Sequence, residues 1–220
     1  MKCDEQGQRK AENFRPESPF VVVCEGLHES GLVCALLRHL GIQNCDVTFP
    51  KKKMGKDGIS EVVGLLVKEA GVHGIAVIRD ADGSAAAAFT AACSGFTAPY
   101  ETPPHPFAIH RGRHRKSAVF LMPGNGRNGA TEHLLFDAFA ASHAALAQCI
   151  ANFEACAINT AGWADNDKAK MRMQCAVASF CEADPQCSLA FVWHKGIYNP
   201  LHVASPIFTE LSDFLADFSS

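Results

Sequence analysis

The chain has 220 residues, of which 48% are hydrophobic and 20% are charged, with a formal net charge of −3 at pH 7. These values are ordinary for a soluble globular protein, and the charge gives no general attraction to nucleic acid or anionic membranes. No apolar run approaches the roughly 20 residues that a membrane-spanning helix needs, and no apolar secretory segment begins the chain. The 10 cysteines are scattered without a CxxC pair, which predicts a reduced, zinc-free, cytoplasmic protein.

Polar residues 1–18 predict an N-terminal tail, and residues 19–220 predict one domain with a helical elaboration from about residue 150. Strands are predicted at 20–24, 46–49, 75–79 and 117–122, with a short strand near 107–109 and an edge strand at 189–193. Helices are predicted at 32–40, 58–70, 84–93, 131–156, 166–182 and 207–218. Alternating strands and helices at this spacing predict an α/β fold with a largely parallel sheet flanked by helices.

Two aspartates follow the apolar run at residues 75–78. If the backbone stays extended past Ile78, Asp80 and Asp82 project to the same side. Parallel sheets bind ligands at the carboxyl ends of their strands, where this pair falls. Neighbouring carboxylates repel each other, so a site that keeps both ionised needs a cation or basic partners. The alternative is an Asp-rich turn in which one aspartate caps the alanine-rich helix that follows.

Acidic residues also follow two other predicted strands. Glu25 comes directly after the first strand, and Glu132 lies just beyond the strand at 117–122. Because the carboxyl ends of parallel strands meet at one edge of the sheet, residues far apart in sequence can converge there. Mg²⁺ prefers carboxylate oxygens in octahedral geometry, and it serves phosphoryl chemistry by activating water and neutralising charge.

Short motifs occur in a fixed order along the chain and carry a family resemblance. They are Val23-Cys24-Glu25-Gly26, Asp80-Ala81-Asp82, Met122-Pro123-Gly124-Asn125, Gly129-Ala130-Thr131-Glu132, Lys168-Ala169-Lys170 and Ala183-Asp184-Pro185. This order resembles the TOPRIM domain of topoisomerases, primases and OLD-type nucleases. It is closest to an uncharacterised prokaryotic group of stand-alone TOPRIM-like proteins, and the resemblance covers about residues 19–215.

The resemblance implies a metal-dependent, nuclease-like protein that carries out phosphodiester or phosphoryl chemistry on nucleic acid. It implies Mg²⁺ or Mn²⁺ as the cofactor. Glu25 would be a metal ligand or acid/base, and Lys168 and Lys170 would stabilise a phosphate. The implied metal ligands are Glu25, Asp80, Asp82 and Glu132.

Two positions depart from the pattern of the family. Glu29 stands where an aspartate is common, and Gly124 replaces an aspartate in the turn after the strand at 117–122. These departures favour a second interpretation, a binding or regulatory module that has lost the chemistry. A third interpretation is a small-nucleotide phosphohydrolase with an enclosed pocket.

Basic residues concentrate in two segments, each of which is either a solvated loop or a contact for nucleic-acid phosphates. The candidate contacts are Lys51, Lys52, Arg111, Arg113, Arg115 and Lys116. A nucleic-acid substrate is favoured if residues 110–116 lie at the same edge of the sheet as the acids. The aromatic face of the helix predicted at 207–218 indicates core packing or a homodimer interface.

Overall fold

A computed structural model describes residues 14–50, 58–157, 160–180, 189, 192–193 and 201–220. The strands are β1 (Phe20–Cys24), β2 (Cys45–Thr48), β3 (Gly74–Asp80), β4 (Ile109–Arg111) and β5 (Lys116–Met122). The helices are α1 (Leu27–His39), α2 (Gly58–Leu66), α3 (Ala85–Cys93), α4 (Thr131–Ser142), α5 (Ala144–Cys156), α6 (Asp165–Phe180) and α7 (Thr209–Ser219). Short 3₁₀ turns occupy Thr160–Gly162 and Pro206–Phe208.

The five strands form one sheet in the order β2-β1-β3-β5-β4. The first four of these run parallel, whereas β4 is antiparallel to β5. The register places Gly74 beside Lys116 at the amino end of β3 and Asp80 beside Met122 at its carboxyl end. The predicted α/β class with a mostly parallel sheet flanked by helices is therefore confirmed.

Helices cover both faces of the sheet, which explains why the central strands are continuous apolar runs. Ala76 and Ile78 of β3 face the larger core, which contains residues of α1, α4 and α7. Ile75 and Val77 face the second core, which is closed by α2 and α3. The α5 and α6 helices pack on α4, and none of the helices in the described ranges is long and apolar enough to cross a membrane.

The helix predicted over 131–156 is two helices that meet at His143. This residue leaves the helical conformation, with φ −136° and ψ 52°. Its ring packs 5.1 Å from that of Phe139 and 4.5 Å from that of Phe180, measured between centroids. The break directs α5 onto α6, because the two helices on either side of His143 no longer share an axis.

Three other predictions need correction or lie outside the described residues. The edge strand predicted at 189–193 is contradicted where it is described, since Leu189, Val192 and Trp193 lie in turns and are buried in the larger core. Residues 51–57, which include Lys51 and Lys52, lie outside the description, as do residues 1–13 of the predicted tail. Cys34 forms a disulfide bond, so the prediction of a fully reduced set is wrong there.

The aromatic side chains of α7 fill the core rather than an exposed face. Phe218 is fully buried, and its ring contacts Phe20 of β1 edge-on at 5.5 Å and stacks on Phe214 at 6.4 Å. The helix thereby joins the end of the chain to the amino end of the first strand.

Replacing Phe218 with Ala should lower the free energy of unfolding by about 3–5 kcal/mol, because it removes a buried ring and leaves a cavity. The matched control is Phe153→Ala, since the Phe153 side chain on α5 is 54% exposed. That change should stay within about 0.5 kcal/mol of the parent. Denaturant titration measures both values, and equal losses in the two variants would contradict the packing described for α7.

Candidate metal centre

The strand order reverses direction between β1 and β3. From β1 the chain passes through α1 to β2 on one side, while β3 pairs with β1 on the other side. Such a reversal opens a crevice at the carboxyl ends of the two strands, and parallel α/β sheets bind ligands there. Glu25 directly follows β1 and Asp80 ends β3, so both carboxylates stand at this crevice.

The Asp80 carboxylate is held by the first residue of α4. Its Oδ1 accepts hydrogen bonds from the backbone N–H of Thr131 at 2.8 Å and from the Thr131 hydroxyl at 2.9 Å. Burial, followed by repulsion from the Glu29, Glu132 and Glu25 carboxylates, raises the pKa of Asp80 to about 8, although the hydrogen bond from Thr131 opposes the shift. Without a cation, the structure therefore favours a proton on Asp80 at neutral pH.

Glu29 is part of the same cluster, although the sequence indicated it only as a departure from the family pattern. It lies in the first turn of α1 and is 7% exposed. Burial raises the pKa of its carboxyl, which hydrogen bonds with Thr131 and with its own backbone N–H. A Cβ on Gly26 would stand 3.1 Å from Glu29 Oε2, so the glycine leaves room for this carboxylate. The Glu29 side chain thus reaches the cluster from the first turn of α1.

Glu132 enters the cluster from the first turn of α4 and pairs with a histidine of α1. Its Oε1 lies 3.4 Å from Nδ1 of His28. Burial is the largest single influence on the pKa of Glu132 and raises it, but the contact with His28 and the other favourable interactions outweigh burial, so the pKa is lowered. The same contact raises the pKa of His28. His28 was not predicted, and its place two residues after the Glu25-Gly26 motif is the only sequence signal for it.

Glu25 contacts Arg79, a buried arginine of the neighbouring strand β3. Its Oε2 accepts from the backbone N–H of Asp80 at 3.3 Å and lies 3.4 Å from Nε of Arg79. Arg79 is 4% exposed, and its Nε has no hydrogen-bond partner of good geometry. The Glu25 side chain is 25% exposed, so Glu25 is accessible to solvent and Arg79 is not.

Asp82 does not continue the extended strand. Its φ is +50°, in the left-handed region, and its backbone forms an isolated antiparallel bridge with Gly129. Its Oδ1 accepts from Nδ2 of Asn166 at 3.1 Å, whereas Asp80 accepts from Thr131. The condition for Asp80 and Asp82 to project together is therefore not met, and Asp82 serves to join β3 to the start of α6.

The two predicted lysines lie in different surroundings on α6. The charge of Lys170 lowers the pKa of both His28 and Glu132, although it is the weakest of the influences on each of them. The charge of Lys168 instead lowers the pKa of Glu154 on α5, after the larger effect of Arg172. The Glu154 carboxylate accepts a hydrogen bond from Arg172. Of the two lysines, Lys170 is the one whose charge acts on residues of the cluster.

The basic segment 110–116 lies at the amino ends of the parallel strands, whereas the acids lie at their carboxyl ends. Lys116 begins β5 beside Gly74, about 20 Å of strand from Met122 and the acids. The Lys116 ammonium donates to the Phe218 and Ser220 carbonyls, and Arg111 pairs with Asp217. Arg115 donates to the Val72 and Ala70 carbonyls, while Arg113 is exposed in the β4–β5 turn. The predicted nucleic-acid contacts in this segment therefore do not adjoin the acids.

The turn after β5 shows why glycine replaces the expected aspartate. Gly124 has φ +98°, and a Cβ there would collide with the Glu210 carboxylate of α7. That carboxylate accepts from the backbone N–H of Asn125 at 2.8 Å. An acidic group thus stands at this turn, but it comes from a distant helix and holds the loop backbone.

Glu25, Glu29, Asp80 and Glu132 suit a hard divalent cation in their chemistry. All four offer carboxylate oxygens. Burial and then their mutual repulsion raise the pKa of Asp80, and a bound cation would offset the repulsion. Within the described ranges, no three acidic, histidine or cysteine side chains stand close enough together to ligate one ion as placed. Binding would therefore require side-chain rotation, starting with release of Glu132 from His28.

A family model with the description "Protein of unknown function (DUF3226)" matches residues 19–219, and the chain belongs to this family. No curated protein and no solved structure matches the chain. The family description names no activity.

The cluster predicts that stability falls as pH rises when no metal is present. A carboxyl whose folded-state pKa is raised binds its proton more tightly in the folded state than in the unfolded state. The contribution of protonated Asp80 to the free energy of unfolding is therefore complete below about pH 4 and is lost as the pH rises towards about 8. The raised pKa values of Glu29 and His28 act in the same direction. Denaturation in EDTA between pH 5 and pH 8 should show this loss.

Asp80→Asn should reduce the loss and exceed the parent in stability at pH 8, because the amide oxygen can still accept from Thr131 without carrying charge. Asp217→Asn is the matched control, since Asp217 pairs with Arg111 at the opposite edge. It should leave the slope between pH 5 and pH 8 unchanged. Parallel pH profiles for the parent and Asp80→Asn would show that Asp80 is not protonated in the folded state.

Proposed function

We propose that this protein is a Mg²⁺- or Mn²⁺-dependent enzyme of phosphoryl or phosphodiester chemistry, with its centre at the carboxyl ends of β1 and β3. The observation that carries the proposal is the convergence of Glu25, Glu29, Asp80 and Glu132 at the reversal of strand order. Burial, together with repulsion from the other three carboxylates, raises the pKa of Asp80 to about 8. A site that concentrates buried carboxylates at a ligand-binding crevice is suited to a divalent cation.

The four acids divide by exposure. Glu29 and Glu132 are 7% and 4% exposed, and with Asp80 they are the proposed metal ligands. Glu25 is more open to solvent, and its placement beside Arg79 suits either a ligand or a group that takes a proton from an attacking water. A bound divalent cation would supply charge neutralisation and water activation for phosphate chemistry.

Two helix N-termini favour an anionic substrate at this crevice. The first turns of α1 and α4 carry Glu29 and Glu132, so the amino ends of both helices adjoin the acids. Helix N-termini favour negative charge through their dipole, and at α4 the N–H of Thr131 already donates to the Asp80 carboxylate. The Lys170 side chain is 59% exposed and its charge acts on Glu132, which supports a role in holding the substrate phosphate. The TOPRIM resemblance is consistent with this proposal.

The substrate class is narrower than the sequence suggested. Arg111, Arg115 and Lys116 bind groups of this chain at the far edge of the sheet, so a long duplex gains little from them at the crevice. A nucleotide or a nucleic-acid end, which needs only local contacts, suits the geometry better.

A non-catalytic binding or regulatory module is the second candidate. It is favoured by the pairing of Glu132 with His28 and of Asp80 with Thr131, because both carboxylates already have partners in the described structure. The two candidates differ in whether the acids bind metal and whether phosphoryl transfer follows.

Calorimetric titration of Mg²⁺ and Mn²⁺ tests the metal centre directly. The parent protein should bind, and Asp80→Asn should weaken binding at least about 10-fold, because it removes one anionic ligand. The control Asp217→Asn should bind as the parent does. Equal affinities for the parent and Asp80→Asn would overturn the assignment of the metal to this crevice.

Activity is measured on the same variants with nucleotides and short single strands as substrates. Metal-dependent phosphate release that is lost in both Asp80→Asn and Glu29→Gln would support the enzyme. Metal binding without turnover of any of these substrates would favour the regulatory module.

A further inference from the structure

A shallow groove runs along the exposed face of the first half of α6. Its volume is about 460 Å³, within the range of small-molecule sites. The lining residues are Trp163, Asp167, Lys170, Met171 and Gln174. They recur every three or four positions, as expected for one face of a helix and the residue that precedes it.

Trp163 is the large aromatic surface of this groove. It follows the 3₁₀ turn Thr160–Gly162, and its backbone N–H donates to the Thr160 carbonyl at 3.1 Å. The residue is 43% exposed, whereas Trp193, the other tryptophan, is 9% exposed. A large apolar ring left in solvent at a concave surface is typical of binding sites.

The same helix is fastened to the crevice by neighbouring residues. Asn166 donates to Asp82 at 3.1 Å, and Asp165 lies 2.9 Å from Nε2 of His133 on α4. These contacts fix the amino end of α6, and with it the groove, against the loops that follow β3 and β5.

Lys170 is the cation of the groove. It lines the groove, on the helix whose Asp165 contacts His133, the residue that follows Glu132 on α4. Its ion pair with Asp167 is long, at 3.9 Å, and both side chains are 59% exposed, so the ammonium group can turn to a ligand at little cost. One exposed cation therefore lines the same groove as the ring of Trp163.

We propose that the α6 groove binds a nucleotide unit, with the base on Trp163 and the phosphate directed by Lys170 towards the carboxylate cluster. Every nucleobase has a face that stacks on an aromatic ring. The Met171 side chain extends the apolar surface, and the Asp167 carboxylate and Gln174 amide provide hydrogen-bonding groups for the base edge. This inference rests on the proposed function for the destination of the phosphate, but the base site itself does not require metal.

The shared ligand chemistry is a base joined to a sugar phosphate, from a free nucleotide or from the end of a single strand. Binding of AMP, ribose 5-phosphate and a five-nucleotide oligodeoxyadenylate is therefore measured by calorimetry on the full chain in EDTA. Trp163→Ala should weaken AMP binding roughly 10-fold or more, the range expected for loss of one stacked base, and leave ribose 5-phosphate unchanged. Trp163→Phe should restore most of the AMP affinity.

Lys170→Met should weaken both AMP and ribose 5-phosphate, because both carry the phosphate. Phe153→Ala, which removes an exposed ring outside the groove, is the matched control and should change neither. A Trp163 effect on the oligonucleotide as well would assign the site to strand ends, and an effect on AMP alone would assign it to free nucleotides.

The inference is overturned if AMP does not bind, if Trp163→Ala binds AMP as the parent does, or if Phe153→Ala weakens AMP equally. Its failure is separable from that of the proposed function. Loss of AMP binding in Trp163→Ala together with unchanged Mg²⁺ binding in Asp80→Asn would retain the groove and reject the metal centre. Unchanged AMP binding in Trp163→Ala together with weaker Mg²⁺ binding in Asp80→Asn would retain the metal centre and reject the groove.

Discussion

The buried carboxylate of Asp80 is the constraint on which the crevice depends. It ends β3, receives two hydrogen bonds from the first residue of α4, and lies within the electrostatic reach of Glu29 on α1. Three elements that are far apart in sequence thus meet at one acidic group. Thr131 stabilises the negative charge, whereas burial and the neighbouring acids oppose it. The site is therefore built at a cost in stability that a bound cation would offset.

The central part of the fold was predictable from sequence because its strands are buried on both faces. The apolar runs that became β1, β3 and β5 are continuous, and each is followed by turn-forming or acidic residues. Their carboxyl ends share one edge of a parallel sheet, so the approach of Glu25, Asp80 and Glu132 was also predictable. The break at His143 was not, because it depends on the packing of that ring against Phe180 from another helix.

The details of the site depend on the three-dimensional placement of residues, which local sequence patterns do not show. Glu29 looked like a departure from a family pattern, but one turn of helix and the open space at Gly26 bring its longer side chain to the cluster. Asp82 looked equivalent to Asp80, yet a left-handed backbone conformation gives it a structural partner in Asn166. Arg111 and Lys116 looked like a substrate surface, but only the register of β5 shows that they begin the strand whose other end adjoins the acids.

The opposite placement of acids and bases gives the two edges of the sheet different roles. At the amino edge, Lys116 and Arg111 bind α7 to the sheet, and at the carboxyl edge the acids are held close together by α1 and α4. Under the proposed function, the α6 groove would supply the cation and the aromatic ring that the basic segment does not provide near the acids. This division favours the proposal of a small phosphate-bearing ligand over that of a long polyanion.

The most direct test of the account is to locate a divalent cation by anomalous scattering in crystals grown with Mn²⁺. The account predicts an anomalous peak within coordination distance of the Asp80 carboxylate, with Glu132 rotated away from His28 to reach the ion. An ordered crevice without a peak at millimolar Mn²⁺, in which the His28–Glu132 contact persists, would contradict the metal centre.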